Sequence, residues 1–403
     1  MDTELSPEKP LFSPEFVMLS VIAFLAFCNI SLFYGFNAYM EAMHIPPMWR
    51  GVLLGLEPGT AFLVRPIISP LLTVRNSIST IALGLVTIMA ALLSYQLTTD
   101  VWGLALVRVA HGLGLVLLIS ASVTLLVEFI PAGRSGQGFG VFTVASLLPY
   151  AVIPPVIESM LGSVGDEAAV YGRFTIFLLP ALLLLLPLRR SVRRLDDTLP
   201  HHHKQRPTAA QLRADLRTPG VAQLLAANLL LFTATTVVFF YMKDHLLALG
   251  SGNAGLFFTV STGTTIVVRV VCGKLLDRVN RAAMLTLFLG VLAANLCLFG
   301  VPDSLETMLP LAALYGMCLG FVMPQMNAAM FVISEPRLRG LNTNLLLFTM
   351  DGGFFLGPLL AGLMQTDGMG LTTLFALCAL GPLLAGALTW TLVGRMKDGA
   401  PRT

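Results

Sequence analysis

Among the ionisable residues inside apolar runs of this chain, six stand deep enough to matter first: Glu57, Arg65, Arg108, His111, Arg269 and Asp351. A charge at bilayer depth is costly, faces a bundle interior or an aqueous cavity, and marks a functional site by default. Glu57 stands eight residues beyond Trp49, and Arg108 eight beyond Asp100. At the helical rise of about 1.5 Å per residue, both lie roughly 12 Å below one surface. His111 falls one turn from Arg108 on the same face. A carboxylate beside an arginine and a cavity changes its proton affinity as solvent access changes, so Glu57, Arg108 and His111 could carry a proton. The plainer alternative is a permanent ion pair that ties two helices together. Asp351 and Arg65 share a second depth, roughly 15 Å from the other surface. Arg65 could pair with Asp351 or cap local carbonyls, as could Arg269.

These residues need helices to position them, and the composition supplies such helices. Of 403 residues, 56% are hydrophobic and 12% charged, with a mean hydropathy of +0.81. Soluble domains carry about 25% charged residues, so the natural solvent of this chain is lipid. Apolar runs of roughly 20 residues are long enough to span. They are expected at 16–40, 49–73, 77–97, 101–127, 137–160, 172–188, 219–242, 254–276, 282–300, 306–333, 341–364 and 370–393. The expected organisation is a six-helix unit over 1–188, a basic linker over 189–218 and a second six-helix unit over 219–403. The first run is long and follows a polar tail, which reads as a true span rather than a cleaved signal.

Lys and Arg accumulate on the cytoplasmic side of membrane proteins. With a cytoplasmic N-terminus, 19 of the 25 basic residues fall inward, three (Arg50, Arg173, Lys243) outward, and three (Arg65, Arg108, Arg269) within spans. Both termini and the linker are therefore expected in the cytoplasm. The net charge of +3 gives no reason to expect nucleic acid. Cys28, Cys272, Cys297, Cys318 and Cys378 all sit in apolar runs without metal-ligand spacing, as small buried hydrophobes do.

The two halves also repeat. A shift of 204 residues carries Gly51, Gly59, Thr60, Arg65, Leu71 and Asn76 onto Gly255, Gly263, Thr264, Arg269, Leu275 and Asn280, and Gly112 onto Gly316. Aligned intramembrane arginines rarely arise by chance. Duplicated units of this kind bind substrate near the midplane and rock against each other.

Over essentially its whole length the chain resembles the major facilitator superfamily. The run Gly273-Lys274-Leu275-Leu276-Asp277-Arg278-Val279-Asn280-Arg281 is similar to that superfamily's loop signature G-x-L-x-D-R-x-G-R, with Gly273, Asp277, Arg278 and Arg281 as the matching residues and Asn280 replacing the second glycine. The first-half copy, Ser69 to Asn76, has Thr73 where the acid is expected, which departs from the usual latch. Arg108 to Gly112 looks like the R-x-x-x-G pattern of some proton-coupled members. Gly353 to Gly362 resembles the Gly-Pro antiporter signature, although it lies in the eleventh span rather than the fifth. The resemblance implies an all-α membrane protein of 12 transmembrane helices in two pseudo-symmetric bundles. It also implies that the second and eleventh helices face each other, which would make Arg65 and Asp351 a gate.

The same architecture lines its cavity with the first, fourth, seventh and tenth spans. Candidate cavity residues there are Asn29, Tyr34, Asn37, His111, Asn228, Thr233, Tyr241, Tyr315, Gln325 and Asn327. Amides and hydroxyls suit a neutral, zwitterionic or weakly charged organic solute better than a phosphate ester, which calls for clustered cations. Met323, Met326 and Met330 share a face and could carry Cu(I), or form an adaptable apolar wall. No nucleotide-phosphate loop is visible, and no cofactor or catalytic residue is implied. The expected function is proton-coupled export of a small organic solute by a monomer, in a bacterial inner membrane. The alternatives are an importer of a metabolite or a soft metal such as copper, and a non-transporting receptor or assembly factor.

Overall fold

Twelve helices long and apolar enough to cross a membrane occur among the described residues of the computed structural model, which are 11–98, 100–130, 135–164, 167–198, 217–218, 220–276, 280–334 and 339–393. They are α1 (Pro14–Ala42), α2 (Pro47–Ile68), α3 (Val74–Leu97), α4 (Val101–Leu126), α5 (Val141–Leu161), α6 (Glu167–Leu195), α7 (Val221–Ala248), α8 (Gly255–Cys272), α9 (Arg281–Leu298), α10 (Leu305–Met330), α11 (Leu345–Thr366) and α12 (Leu371–Trp390). Each overlaps an expected run. No strand occurs among the described residues. Hydrocarbon offers no partner for a backbone N–H or C=O, so a helix, which bonds its own, is the economical way across.

The helix starts are written in short polar links. Thr73 and Asn76 form a reciprocal capping box at α3, and Ser304 and Thr307 do the same at α10. Asp100 accepts from Gly103 N–H, and Asn280 from Ala283 N–H. Each cap satisfies donors that a helix start leaves open.

Two boundaries differ from the sequence reading. The helix carrying α6 begins at Glu167, and its helical run continues to Thr198, so Arg189, Arg190, Arg193 and Arg194 ride on its last turns. The reason is that arginine is a good helix former, and polarity alone does not end a helix. The second difference matters more. α7 continues to Ala248, so Lys243 is a buried helical residue rather than part of an outer loop. Ion pairing makes that burial tolerable.

The packing repeats with the sequence. In the first half α1 packs on α5 and α6, α2 on α4, and α3 on α4 and α6. In the second, α7 packs on α11 and α12, α8 on α10, and α9 on α10 and α12. Between halves, α2 packs on α11 and α5 on α8, the same pair related by the repeat. Even the close approaches obey it. Gly51 lies against the Pro358 carbonyl, and Gly255 against Pro154 and Pro155. Gly112 lies against the Glu57 carbonyl, and Gly316 against that of Ser261. Small residues are what let helices come this close.

We call the end where α1 begins the terminal face, and the other end the distal face. The named contacts of α5 with α8, and of the end of α1 with α7, all lie near the distal face. Those of α2 with α11 run from Gly51 down through a stacked Phe62–Phe348 pair, 4.2 Å between centroids.

Gly316→Val places a side chain onto the Ser261 carbonyl. It should cost about 1–3 kcal/mol through overpacking, read as a lower midpoint of thermal unfolding in detergent. Gly263→Ala, with nothing within 4 Å of the added carbon, should leave the midpoint unchanged or raise it.

Candidate functional site

Five of the six residues singled out in the sequence meet in the structure as two separate clusters, and Arg269 joins neither. In the first, Arg108 is fully buried and forms an ion pair with Glu57. Its Nε donates to the Leu53 carbonyl at 3.0 Å and its Nη2 to the Leu54 carbonyl at 3.1 Å. Local sequence explains the second acceptor. Pro58 stands four residues after Leu54 inside α2, and a proline has no N–H to give. The Leu54 carbonyl is thus freed, and Arg108 takes it. Phe33 and Phe36 place their rings 5.1 and 4.9 Å from the guanidinium carbon. His111, also fully buried, contacts Asn29 Nδ2 through Nε2 at 2.9 Å and Tyr95 Oη through Nδ1 at 3.3 Å. The cluster therefore joins α1, α2, α3 and α4. Only Glu57 keeps side-chain exposure, 12% against 0% for Arg108.

The second cluster crosses between halves. Arg65 Nε donates to Asp351 Oδ2 at 2.5 Å and Nη2 to Oδ1 at 3.2 Å, a bidentate pair of the kind that fixes orientation as well as charge. Arg65 Nη1 donates to Ser120 Oγ at 3.2 Å, which anchors the arginine to its own half. The repeat gives Arg269 no such partner. Its Nη2 meets the Met323 sulfur at 3.3 Å, and its Nε has no acceptor. Ser146, the residue matched to Asp351, gives its hydroxyl to the Phe142 carbonyl. Arg269 does not cap carbonyls among the described residues.

A third cluster went unread in the sequence. Lys243 Nζ, on α7, lies 3.0 Å from Glu167 Oε1 and 3.3 Å from Glu158 Oε1. It stands 5.2 Å from the centroid of the Tyr34 ring. Tyr34 Oη donates to Glu158 and to the Pro154 carbonyl. Next to it, Asn37 Nδ2 donates to Asp244. The outer-loop assignment of Lys243 hid this group, but a helical apolar run from 221 that carries straight on through Lys243-Asp244 to Leu246-Leu247 was its available signal.

The remaining cavity candidates are distributed rather than convergent. Asn228 donates to the Leu346 carbonyl at 2.8 Å and to Thr349, tying α7 to α11. Thr233 bonds the Leu229 carbonyl of its own helix. Tyr241 and Tyr315 are buried, the latter beside Phe257 and Phe299. Gln325 is buried, whereas Asn327 is exposed and bonds the Met323 carbonyl. Met326 and Met330 are buried in the apolar core. A guanidinium on the Met323 thioether works against a Cu(I) site, since it brings positive charge to the ligand atom. Among described residues no group of three His, Cys, Asp or Glu stands close enough to hold a metal. Of the loop signature, Gly273 lies in the last turn of the helix that ends at Leu276, and Arg281 opens α9. Asp277 and Arg278 lie outside the described residues.

Comparison with known proteins decides the family. The family model for the Major Facilitator Superfamily matches residues 19–294 and 224–403. The chain belongs to the Major Facilitator Superfamily. Solved structures agree in fold. A bacterial homologue of the human lysosomal transporter Spinster, inward-facing and occupied, is 14% identical, with a TM-score of 0.68 over 98% of this chain and 100% of that one. The nucleoside transporter NupG is 14% identical, with a TM-score of 0.70 over 96% and 100%. A POT family transporter in complex with a thioalcohol-conjugated peptide is 12% identical, with a TM-score of 0.72 over 96% of both chains. No curated protein is similar enough in sequence to match. This superfamily member is a transporter rather than an enzyme, built as a multi-pass membrane protein.

Removing one member of a buried ion pair strands the other charge, at about 3–5 kcal/mol. Asp351→Ala should therefore lower the thermal unfolding midpoint more than the double variant Arg65→Met/Asp351→Ala does. Additive losses in the three-variant cycle would show that the pair is not coupled.

Proposed function

We propose that the protein is a secondary active transporter that exports a small organic solute in exchange for protons, by alternating access between its two halves. The observation that carries this reading is the Glu57–Arg108 ion pair, buried beside His111 and joined to four helices, with Glu57 alone reaching exposed space. A carboxylate whose access to water changes between the two states is the group through which a proton is proposed to enter on one side and leave on the other. The Arg65–Asp351 bridge supports the gating half of the reading, because it spans the halves and must break if they part along α2 and α11. Export is favoured by the likeness of Gly353 to Gly362 to the antiporter signature.

The excess of Lys and Arg at the terminal face favours a cytoplasmic location for both termini. On that orientation the distal face, where α5 meets α8 and the end of α1 meets α7, is exterior. The reading is for a single chain in a bacterial inner membrane. The solute is neutral, zwitterionic or weakly charged, and Asn327 and Gln325 on α10 are proposed to meet it.

In proteoliposomes carrying a pH-sensitive dye, a mixed solute library should elicit a solute-triggered pH change. Glu57→Gln should abolish that change and reduce flux at least about tenfold, the scale of one lost proton-linked interaction. Full flux with an unchanged pH dependence in Glu57→Gln would contradict proton coupling through this residue.

A further inference from the structure

Among the described residues Lys243 is the one cation within salt-bridge distance of Glu158 and Glu167, and it comes from the other half of the molecule. Everything else that holds its ammonium is carried by the first half: Tyr34 on α1, Glu158 on α5 and Glu167 on α6. The lysine arrives from α7. Its side chain is 5% exposed, and the two carboxylates 14% and 15%.

The shape of the holder is specific. α1 tightens to a 3-10 turn over Leu32–Gly35, a local change that frequently accompanies a functional position. Gly35 at its end leaves the room: a β-carbon there would stand 2.8 Å from Lys243 Nζ and 3.4 Å from Glu167 Oε1. Two carboxylates on one side and an aromatic face on another make a cage for an organic ammonium, combining charge-assisted hydrogen bonds with cation–π attraction. Beside the ammonium a cavity of about 470 Å³ opens at the distal face, lined by Glu167 and Lys243 together with Tyr39, Met43, Leu161 and Leu247. Those walls are mostly apolar, as suits the carbon skeleton of an amine. A second hollow, which shares Ala38, Ala42 and Leu247 with the first, is lined by Glu41 and by Asp244, whose Oδ1 has no hydrogen-bond partner.

If the halves part at this face, as alternating access demands, Lys243 and Asp244 leave with α7. The cage stays behind with two carboxylates and no cation, a state that buried acids tolerate poorly. We infer that the Tyr34–Glu158–Glu167 cage is a solute subsite that takes a protonated amine with an apolar body, and that Lys243 is its occupant in the closed state. The lysine then acts as an internal competitor: closure re-inserts it and expels the amine, and a bound amine holds the distal face open. The inference rests on the alternating-access reading and narrows its weakly charged solute to an organic ammonium.

The test reads binding rather than flux, so its failure is separate from that of proton coupling. Full-length Lys243→Ala in detergent is titrated calorimetrically with n-butylammonium, and with n-butanol as the uncharged isostere. Saturable ammonium binding at least tenfold tighter than that of butanol is expected. It should weaken at least tenfold in Lys243→Ala/Glu158→Gln/Glu167→Gln, and wild type with its own lysine in place should bind less tightly than Lys243→Ala. Lys243→Gln, which fills the same volume without the charge, gives the same reading should the alanine variant not fold. Equal binding of the alcohol, or ammonium binding that survives loss of both carboxylates, would overturn the inference. So would displacement of n-butylammonium by sodium at equal concentration, which would make the cage a metal-cation site.

Discussion

Within a bilayer no water relieves an unsatisfied polar group, and each one costs several kcal/mol. That constraint organises this protein. Its helices carry prolines at inward positions, each of which strips a carbonyl of its usual donor four residues on. The freed groups then specify which helices meet. Pro58 frees the Leu54 carbonyl and Arg108 of α4 binds it. Pro155 frees the Ala151 carbonyl, and Thr259 of α8 reaches across from the other half to bind it at 2.6 Å. Charges follow the same rule: Arg108, Arg65 and Lys243 are each buried against a carboxylate. Bonds that satisfy a single helix are hard to break, whereas bonds between helices, and above all between halves, are exchangeable.

The halves are alike in packing and unlike in charge. Helix neighbours and glycine contacts repeat under the 204-residue shift, yet the Arg65–Asp351 bridge has no counterpart at Arg269. A structure that moves by rocking two rigid units needs equivalent seams so that each can open in turn. It also needs unequal charges along them so that the states differ in energy and respond to a ligand. The Glu57–Arg108 cluster lies inside one half, whereas the Arg65–Asp351 and Lys243 clusters lie between halves.

Much of this was legible in the sequence because lipid leaves few options. Twelve apolar runs, their order and the duplication followed from hydropathy and spacing. So did the meeting of Glu57 with Arg108, since depth can be counted along a helix, and that of Arg65 with Asp351 once the fold was supplied by resemblance. Two things escaped. Hydropathy ends a span where charge begins, so Lys243 and Asp244 fell in a loop although α7 carries them inward. Burial of a charge depends on partners from other helices, here Glu158 and Glu167, which no local window contains. The cavity candidates Asn29, Tyr34, Asn37 and Asn228 were polar residues on the right spans. Each is bonded to a neighbouring helix, a distinction that composition alone does not make.

The account turns on halves that separate at the face where they now meet. Its most direct measurement is the distance between spin labels at Met48 and Val301, both exposed and on opposite halves near the distal face, after replacement of the five native cysteines. Two populations are predicted in lipid, with weight moving to the longer distance in Lys243→Ala, which removes an attraction across the seam at that face. A single short distance, unmoved by the substitution, would contradict the account.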